Sequence, residues 1–437
     1  MPHNNQSLDE SYVDTQSLCK VRTITLFLSL DRDQQQWREM IFTAASACNE
    51  LFRALHDDGY EVQTIRIVTN PFGEYLDTST IASAREGLAL IRQYLDEAPV
   101  GEAPISPAQS PADAGGDKRL RLRFAIGEAR SAKELALLPE LIAEFGDLCN
   151  ACVNIGIDSH GILDNPLITS AATVVQRISQ LTPRGEGNFN FTVNFNCEPL
   201  IPYFPAGYYR KELGPCFVIG LETPDLLVDV LKRYNRGAMD ADHNERHASY
   251  YTVMRDALQY HLSRLQGLVE PVAKDGAFRF AGFDSSAAPS KECASMADVY
   301  QQMGVDYFGA AGTVEISALL TRVFKSMNDV ELTGFSGLML ALTEDTGLAS
   351  GSKRQEFDIR SLLTYSAVCG IGLDTVPIPG DTPVEKIAAL MRDTGTMAFR
   401  LNKPLTVRLF PVPGLRAGDI TAFTSDDLCN CAVLAVP

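Results

Sequence analysis

At 437 residues, with 45% hydrophobic and 21% charged residues, the chain has ordinary globular composition and enough apolar material for a sizeable core. A formal charge of -17, from 38 basic against 55 acidic residues, argues against a nucleic-acid scaffold or an anionic-membrane binder, which need a basic face. No apolar run nears the roughly 18 residues of a spanning helix, and the polar, acidic N-terminus lacks the basic and apolar regions of a signal peptide.

Residues 1–20 read as a flexible arm. Thr23 to Leu30 is a continuous β-rich run, a strand buried on both faces, and Asp31 or Asp33 can cap the helix after it. That helix keeps Trp37, Ile41, Ala44, Cys48, Leu51, Phe52 and Leu55 on one stripe and ends at Gly59. A strand at 62–68 and a helix over 79–95 follow, an alternation that favours strands covered by helices. Residues 98–118, rich in Pro, Ala and Gly, form a long loop or a linker. The rhythm resumes with strand 120–126, helix 133–145, strand 151–157 and helix 165–181. Phe189, Phe191, Val193 and Phe195 alternate with polar residues, which gives a half-buried strand over 188–196. A turn-prone aromatic loop at 202–209 precedes strand 216–221, helix 224–234 and a long helix over 244–268. Strand 277–284, helix 293–303, strand 305–309 and helix 313–327 come next. A strand or buried run at 334–342 leads to a helix over 356–367, and strands at 405–410 and 432–436 close the series. Some ten strands alternating with helices predict an α/β fold, a closed or nearly closed barrel with helices outside. One domain over 21–437 is expected, with 98–118 as an excursion.

The stretch from Ser366 to Pro383 holds the most chemistry in the fewest residues. It places Cys369 in a turn with Gly370 and Gly372, then Asp374, then a helix start where Thr382, Pro383 and Glu385 suit a cap, the first helical position and a capping box. Three further turns carry small or acidic residues: Gly282 to Pro289, Gly309 to Thr313, and Gly334 to Gly337 with Glu344 and Asp345 beyond it. Sites in α/β architectures collect at the carboxyl ends of strands, and the Gly309 to Thr313 turn before a helix can cradle an anion with backbone amides. Neither a P-loop nor a dinucleotide fingerprint is present. Asp284, Glu344 and Asp345 could hold a hard divalent cation, and with Asp374 they could supply an acid/base pair. No cofactor is otherwise expected. Cys149-Asn-Ala-Cys152 has metal spacing without a second pair. Ten cysteines in this length are too sparse for a disulfide framework, and a cytoplasmic protein is expected.

These stretches resemble an uncharacterised family known as domain of unknown function 711 or uncharacterised protein family 0210. Cys369-Gly-Ile-Gly-Leu-Asp374 is similar to its Cys-Ser-Val-Gly-Leu-Asp, and Gly380-Asp-Thr-Pro383 to its Pro-Gly/Glu-Asp-Thr-Pro. Gly334-Phe-Ser-Gly337 and Thr343-Glu-Asp-Thr-Gly347 look like its Gly-Leu-Ser-Gly and Ser-Glu-Asp-Glu-Gly. Asp284-Ser-Ser-Ala-Ala-Pro289 is similar to its Asp-Leu-Ser-Leu-Ala-Pro, and Gly312-Thr313 and Val153-Asn154-Ile-Gly156 have counterparts. The likeness is strong over 277–410 and patchier over 21–276. It departs at Gly370, where the family has Ser. The resemblance implies a fold similar to the ten-stranded barrel of pyruvate formate-lyase. It does not imply radical chemistry, for no glycyl radical motif lies between Arg408 and Pro437.

The expected function is a radical-independent enzyme, of lyase or hydrolase type, acting on a small polar or carboxylate-bearing metabolite. Cys369, Asp284, Glu344 and Asp374 would be catalytic. Ser286, Gly312, Thr313, Ser336, Gly337, Gly370, Gly372 and Asn154 would bind the ligand. A non-catalytic metabolite-binding protein on the same barrel is the alternative, and either could form a homo-oligomer.

Overall fold

The computed structural model describes residues 13–98, 122–146, 148–237 and 243–437. The expected arm falls outside these up to residue 12, and the expected excursion falls outside them from residue 99. Nine strands form one sheet: β1 (Lys20–Leu28), β2 (Ile65–Thr69), β3 (Leu122–Ala129), β4 (Asn150–Ile155), β5 (Phe191–Phe195), β6 (Cys216–Glu222), β7 (Arg279–Asp284), β8 (Gly372–Pro379) and β9 (Leu405–Val412). Their order is β7-β6-β1-β2-β3-β4-β5-β9-β8. All neighbours are parallel except β1 with β6 and β5 with β9.

The sheet is not closed. Its edges are β7 and β8, and residues 331–342 run between them. That segment meets β7 where the Phe283 amide donates to Glu331 O at 2.9 Å and the Thr333 amide to Phe283 O at 2.8 Å. It meets β8 where the Leu342 amide donates to Asp374 O at 3.2 Å.

The strand expected at 305–309 is absent. The helix Met296–Gln302 ends in left-handed Gly304, the Val305 amide bonds back to Tyr300 O, and the chain turns. The run at 334–342 and the tail at 432–436 make only single bridges, at Ala341 and Ala432. Strand β8 was unforeseen, because Pro377 and Pro379 read as a loop; an edge strand tolerates prolines that lack a ladder donor. The helix after it starts at Val384, and Thr382 does not cap it but donates to Pro379 O at 2.7 Å.

Period-two alternation gives the sheet two unlike faces. Ile24, Leu26, Ile65, Ile67, Phe124, Ile126, Val193, Val407 and Leu409 point one way into the main core, where helices such as Trp37–Asp57 bring Ile41, Cys48 and Leu51. The other face carries Thr23, Thr25, Arg66, Asn150, Thr192, Asn194, Thr406 and Arg408, all buried.

Candidate functional site

A buried polar strand face is costly unless something meets it. Part of it is met by the aromatic loop. Thr25 donates to Pro202 O at 2.9 Å, Asn194 to Ala206 O at 3.0 Å, and the Tyr203 hydroxyl accepts the Leu221 amide at 3.0 Å. Thr23 pairs with Thr25 at 3.0 Å, and Arg66, Asn150, Thr192, Thr406 and Arg408 face a cavity of about 1190 Å³, whose wall also includes Arg22, Arg123, Phe204, Glu344 and Asp374.

Arg66 is the outlier in that wall. It is 8% exposed, donates to Thr64 Oγ1 at 3.2 Å and stacks over the Phe204 ring at 4.8 Å. No carboxylate among the described residues pairs with it. Burial, then the like charges of Arg22 and Arg123, pull its guanidinium down to about 9. Arg66 and Arg123 are register partners on β2 and β3. Arg22, on β1, donates to Gln63 at 2.9 Å and lies 3.5 Å from Glu222, while Arg123 lies 3.5 Å from Asp427.

Arg408 is fully engaged instead. Its Nε lies 2.7 Å from Asp374 Oδ1, and one Nη serves Asp374 Oδ2 at 3.0 Å and Glu344 Oε1 at 2.5 Å. Burial opposes its charge, but the two carboxylates outweigh it and hold the guanidinium above its ordinary value. Burial pushes the Glu344 carboxyl up; Arg408 pulls it back and Asp374 adds to the rise. With two carboxylates sharing one guanidinium, Glu344 is the group in the wall best placed to hold or release a proton.

A second group of expected residues gathers behind the wall. Asp284 is fully buried and accepts from the amides of Ser286 (3.0 Å), Phe335 (2.7 Å) and Ser336 (3.0 Å) and from the Ser286 hydroxyl (2.6 Å). Ser286 in turn accepts the Gly337 amide at 3.0 Å. Gly337 and Gly370 touch backbone to backbone, so a Cβ on Gly370 would sit 2.8 Å from Gly337. These two glycines serve a chain crossing. The Gly370 amide is taken by Leu338 O at 2.6 Å, and that of Gly372 by Cys369 Sγ at 3.4 Å. Cys369 is 1% exposed and lies in the main core, outside the cavity wall. The knot's neighbours Ala288, Pro289, Phe335 and Ile371 do line the cavity, so the knot fixes its shape.

The remaining expected residues are elsewhere. Asp345 caps the helix Thr346–Lys353 and accepts from Ser295 and from the Met296 amide (2.7 Å). Thr313, after left-handed Gly312, closes its own turn by donating to Ala310 O at 2.7 Å and accepting the Gly309 amide at 3.1 Å. Asn154 donates to buried Glu128, which Arg130 and Arg210 also bind. Asp284, Glu344 and Asp345 therefore do not converge on a cation. Among the described residues no three His, Cys, Asp or Glu side chains form a metal-binding group. Sequence reading missed Arg22, Arg66, Arg123 and Arg408. The available signal was an arginine at a single position inside apolar strands, as in Ile65-Arg66-Ile67.

A family model described as Uncharacterised ACR (DUF711) matches residues 13–425, which include every cavity arginine named above. The chain belongs to this family. Relatives named UPF0210 protein include one from Oleidesulfovibrio alaskensis, 29% identical over 308 residues, covering 69% of this chain and 66% of the relative. One from Pyrobaculum arsenaticum is 34% identical over 241 residues, covering 52% and 50%. One from Limosilactobacillus reuteri is 28% identical over 297 residues, covering 66% and 63%. The matched part thus spans from half to just under two thirds of these relatives' own lengths. In this DUF711 chain no helix among the described residues is long and apolar enough to cross a membrane.

Proposed function

We propose that the protein is a radical-independent enzyme acting on a small polar, carboxylate-bearing metabolite held in the cavity. Arg66 anchors the anionic group and Glu344 moves a proton. One observation carries this reading: a nearly buried guanidinium that faces a large cavity without a carboxylate partner among the described residues. An uncompensated buried charge costs several kcal/mol, and an anionic group of the ligand in bidentate contact would offset that cost. The reading moves the chemistry from Cys369 to Glu344, since Glu344 lines the cavity and Cys369 does not. It includes closure into a ten-stranded barrel like that of pyruvate formate-lyase, with residues 331–342 in the tenth position; the bridges to Phe283 and Asp374 support this.

The alternative is a non-catalytic metabolite-binding protein. It is favoured by the Arg408 ion pairs, which already occupy both carboxylates. A thermal-shift screen of small carboxylic acids tests the site, and Arg66→Gln should abolish every shift the wild type shows. Turnover of a hit, lost in Glu344→Gln while binding persists, distinguishes the enzyme. Hits unaffected by Arg66→Gln would sink the assignment.

A further inference from the structure

The anchor has more positive charge around it than one carboxylate needs. Arg22, Arg66 and Arg123 come from three adjacent strands, β1, β2 and β3, and all line the same cavity. Strands pair about 4.8 Å apart, and like charges directly opposite each other destabilise a sheet. Arg66 and Arg123 are in that relation by register. Their compensation is loose: the Arg22–Glu222 and Arg123–Asp427 contacts are both 3.5 Å, against roughly 2.7–2.9 Å for a charge-assisted hydrogen bond. Glu222 is also shared with Lys20 at 3.5 Å and with the Gln63 amide group at 2.8 Å. Folding alone gives no reason to keep three guanidiniums so close and so weakly countered. A flat monocarboxylate offers two oxygens and fills one arginine fork. A phosphate monoester offers three terminal oxygens and up to two charges, which suits donors supplied by three neighbouring strands.

We infer that the Arg22–Arg66–Arg123 cluster binds a tetrahedral dianion, so that the metabolite carries a phosphate monoester as its anchoring group. This deepens the reading above and rests on it. Phe204 covers one face of the Arg66 guanidinium and leaves its edge for the anion. Thr64 holds Arg66 Nε, and its own hydroxyl is fixed by donation to Arg22 O at 2.7 Å. The threonine thus sets the Arg66 side chain, while Gln63 holds that of Arg22.

The test is calorimetry and thermal shift on the full chain with inorganic phosphate, acetate and malonate at matched ionic strength in chloride. Phosphate should raise the melting temperature and bind at least tenfold more tightly than acetate or malonate. Arg66→Gln and Arg123→Gln should each weaken phosphate at least tenfold, Arg66→Lys less, and the exposed Arg38→Gln not at all. Acetate equal to phosphate overturns the dianion while leaving an anion site. Malonate equal to phosphate overturns the tetrahedral group in favour of a dicarboxylate. Phosphate no better than chloride overturns the phosphate anchor. If the carboxylic-acid screen also shows no Arg66-dependent shift, the underlying site fails with it.

Discussion

Asp284 and Glu344 are both carboxylates held above their ordinary range by burial, yet their surroundings differ in kind. Asp284 is fully buried and takes four donors from its own chain. Glu344 keeps a side chain 14% exposed, faces a cavity, and has one guanidinium that it must share with Asp374. The first is a fastener and the second is an open valence. A perturbed carboxyl marks chemistry only where something can reach it.

The largest expected effect tests the fastener. Asp284→Ala strands the Phe335, Ser336 and Ser286 amides and should cost about 3 kcal/mol or more, read by urea unfolding. A loss below about 1 kcal/mol would put Asp284 on the reactive side of the comparison. The reverse sign is expected in the cavity. Arg66→Gln removes an uncompensated charge and should raise the stability of the ligand-free protein by about 1–2 kcal/mol, while ending ligand response.

The pH dependence sharpens the contrast further. Asp284, pushed up to about 6, holds its proton in the folded state where the unfolded chain has lost it, so its contribution falls as pH rises from about 4 to 6. His261 works the other way. It is buried between the Thr15 hydroxyl at 2.9 Å and the Tyr60 hydroxyl at 3.0 Å, and burial, helped by Arg264, pulls it down to about 4. The unfolded chain binds that proton first, so stability rises from about pH 4 to 6.5. The two slopes oppose each other, and Asp284→Asn should leave a steeper rise across this window. An unchanged slope in a pH series of melts would refute the Asp284 assignment.

Smallest of all should be the cysteines. Cys48→Ala and Cys369→Ala each remove a buried sulfur and should each cost about 1 kcal/mol. Neither should alter turnover. Loss of turnover in Cys369→Ala alone would return the chemistry to that residue.

Most helices and the first seven strands are legible from their apolar periods, but the helix Thr346–Lys353 is not, because Gly347, Ser350, Gly351 and Ser352 interrupt its period. The expected strand or buried run at 334–342 is a buried run; its place between the two sheet edges was not legible, because it bonds to each edge at a point and Phe335 and Met339 face the interior cluster with Ile201 and Tyr203. The turn residues Asp284, Ser286, Ser336, Gly337 and Gly370, expected to serve catalysis and ligand binding, gather as a fastening between chain crossings. Glu344 and Asp374 alone of the expected residues line the cavity. Its arginines stayed hidden because alternation within a strand shows which residues share a face and not what that face encloses.

The seam between β7 and β8 has a consequence for motion. Elsewhere neighbouring strands exchange hydrogen bonds along their length, but here the backbone ladder is reduced to the amides of Phe283, Thr333 and Leu342, and side chains supply the rest, Asp284 taking the Phe335 and Ser336 amides and Thr375 the Thr343 amide. Local opening takes the least free energy where the fewest bonds must break together, so these amides should exchange with solvent deuterium before those of β1 and β2. Glu344 rides two residues beyond Leu342. Breathing at the seam therefore shifts Glu344 relative to Arg66, and a ligand spanning the two should slow that exchange.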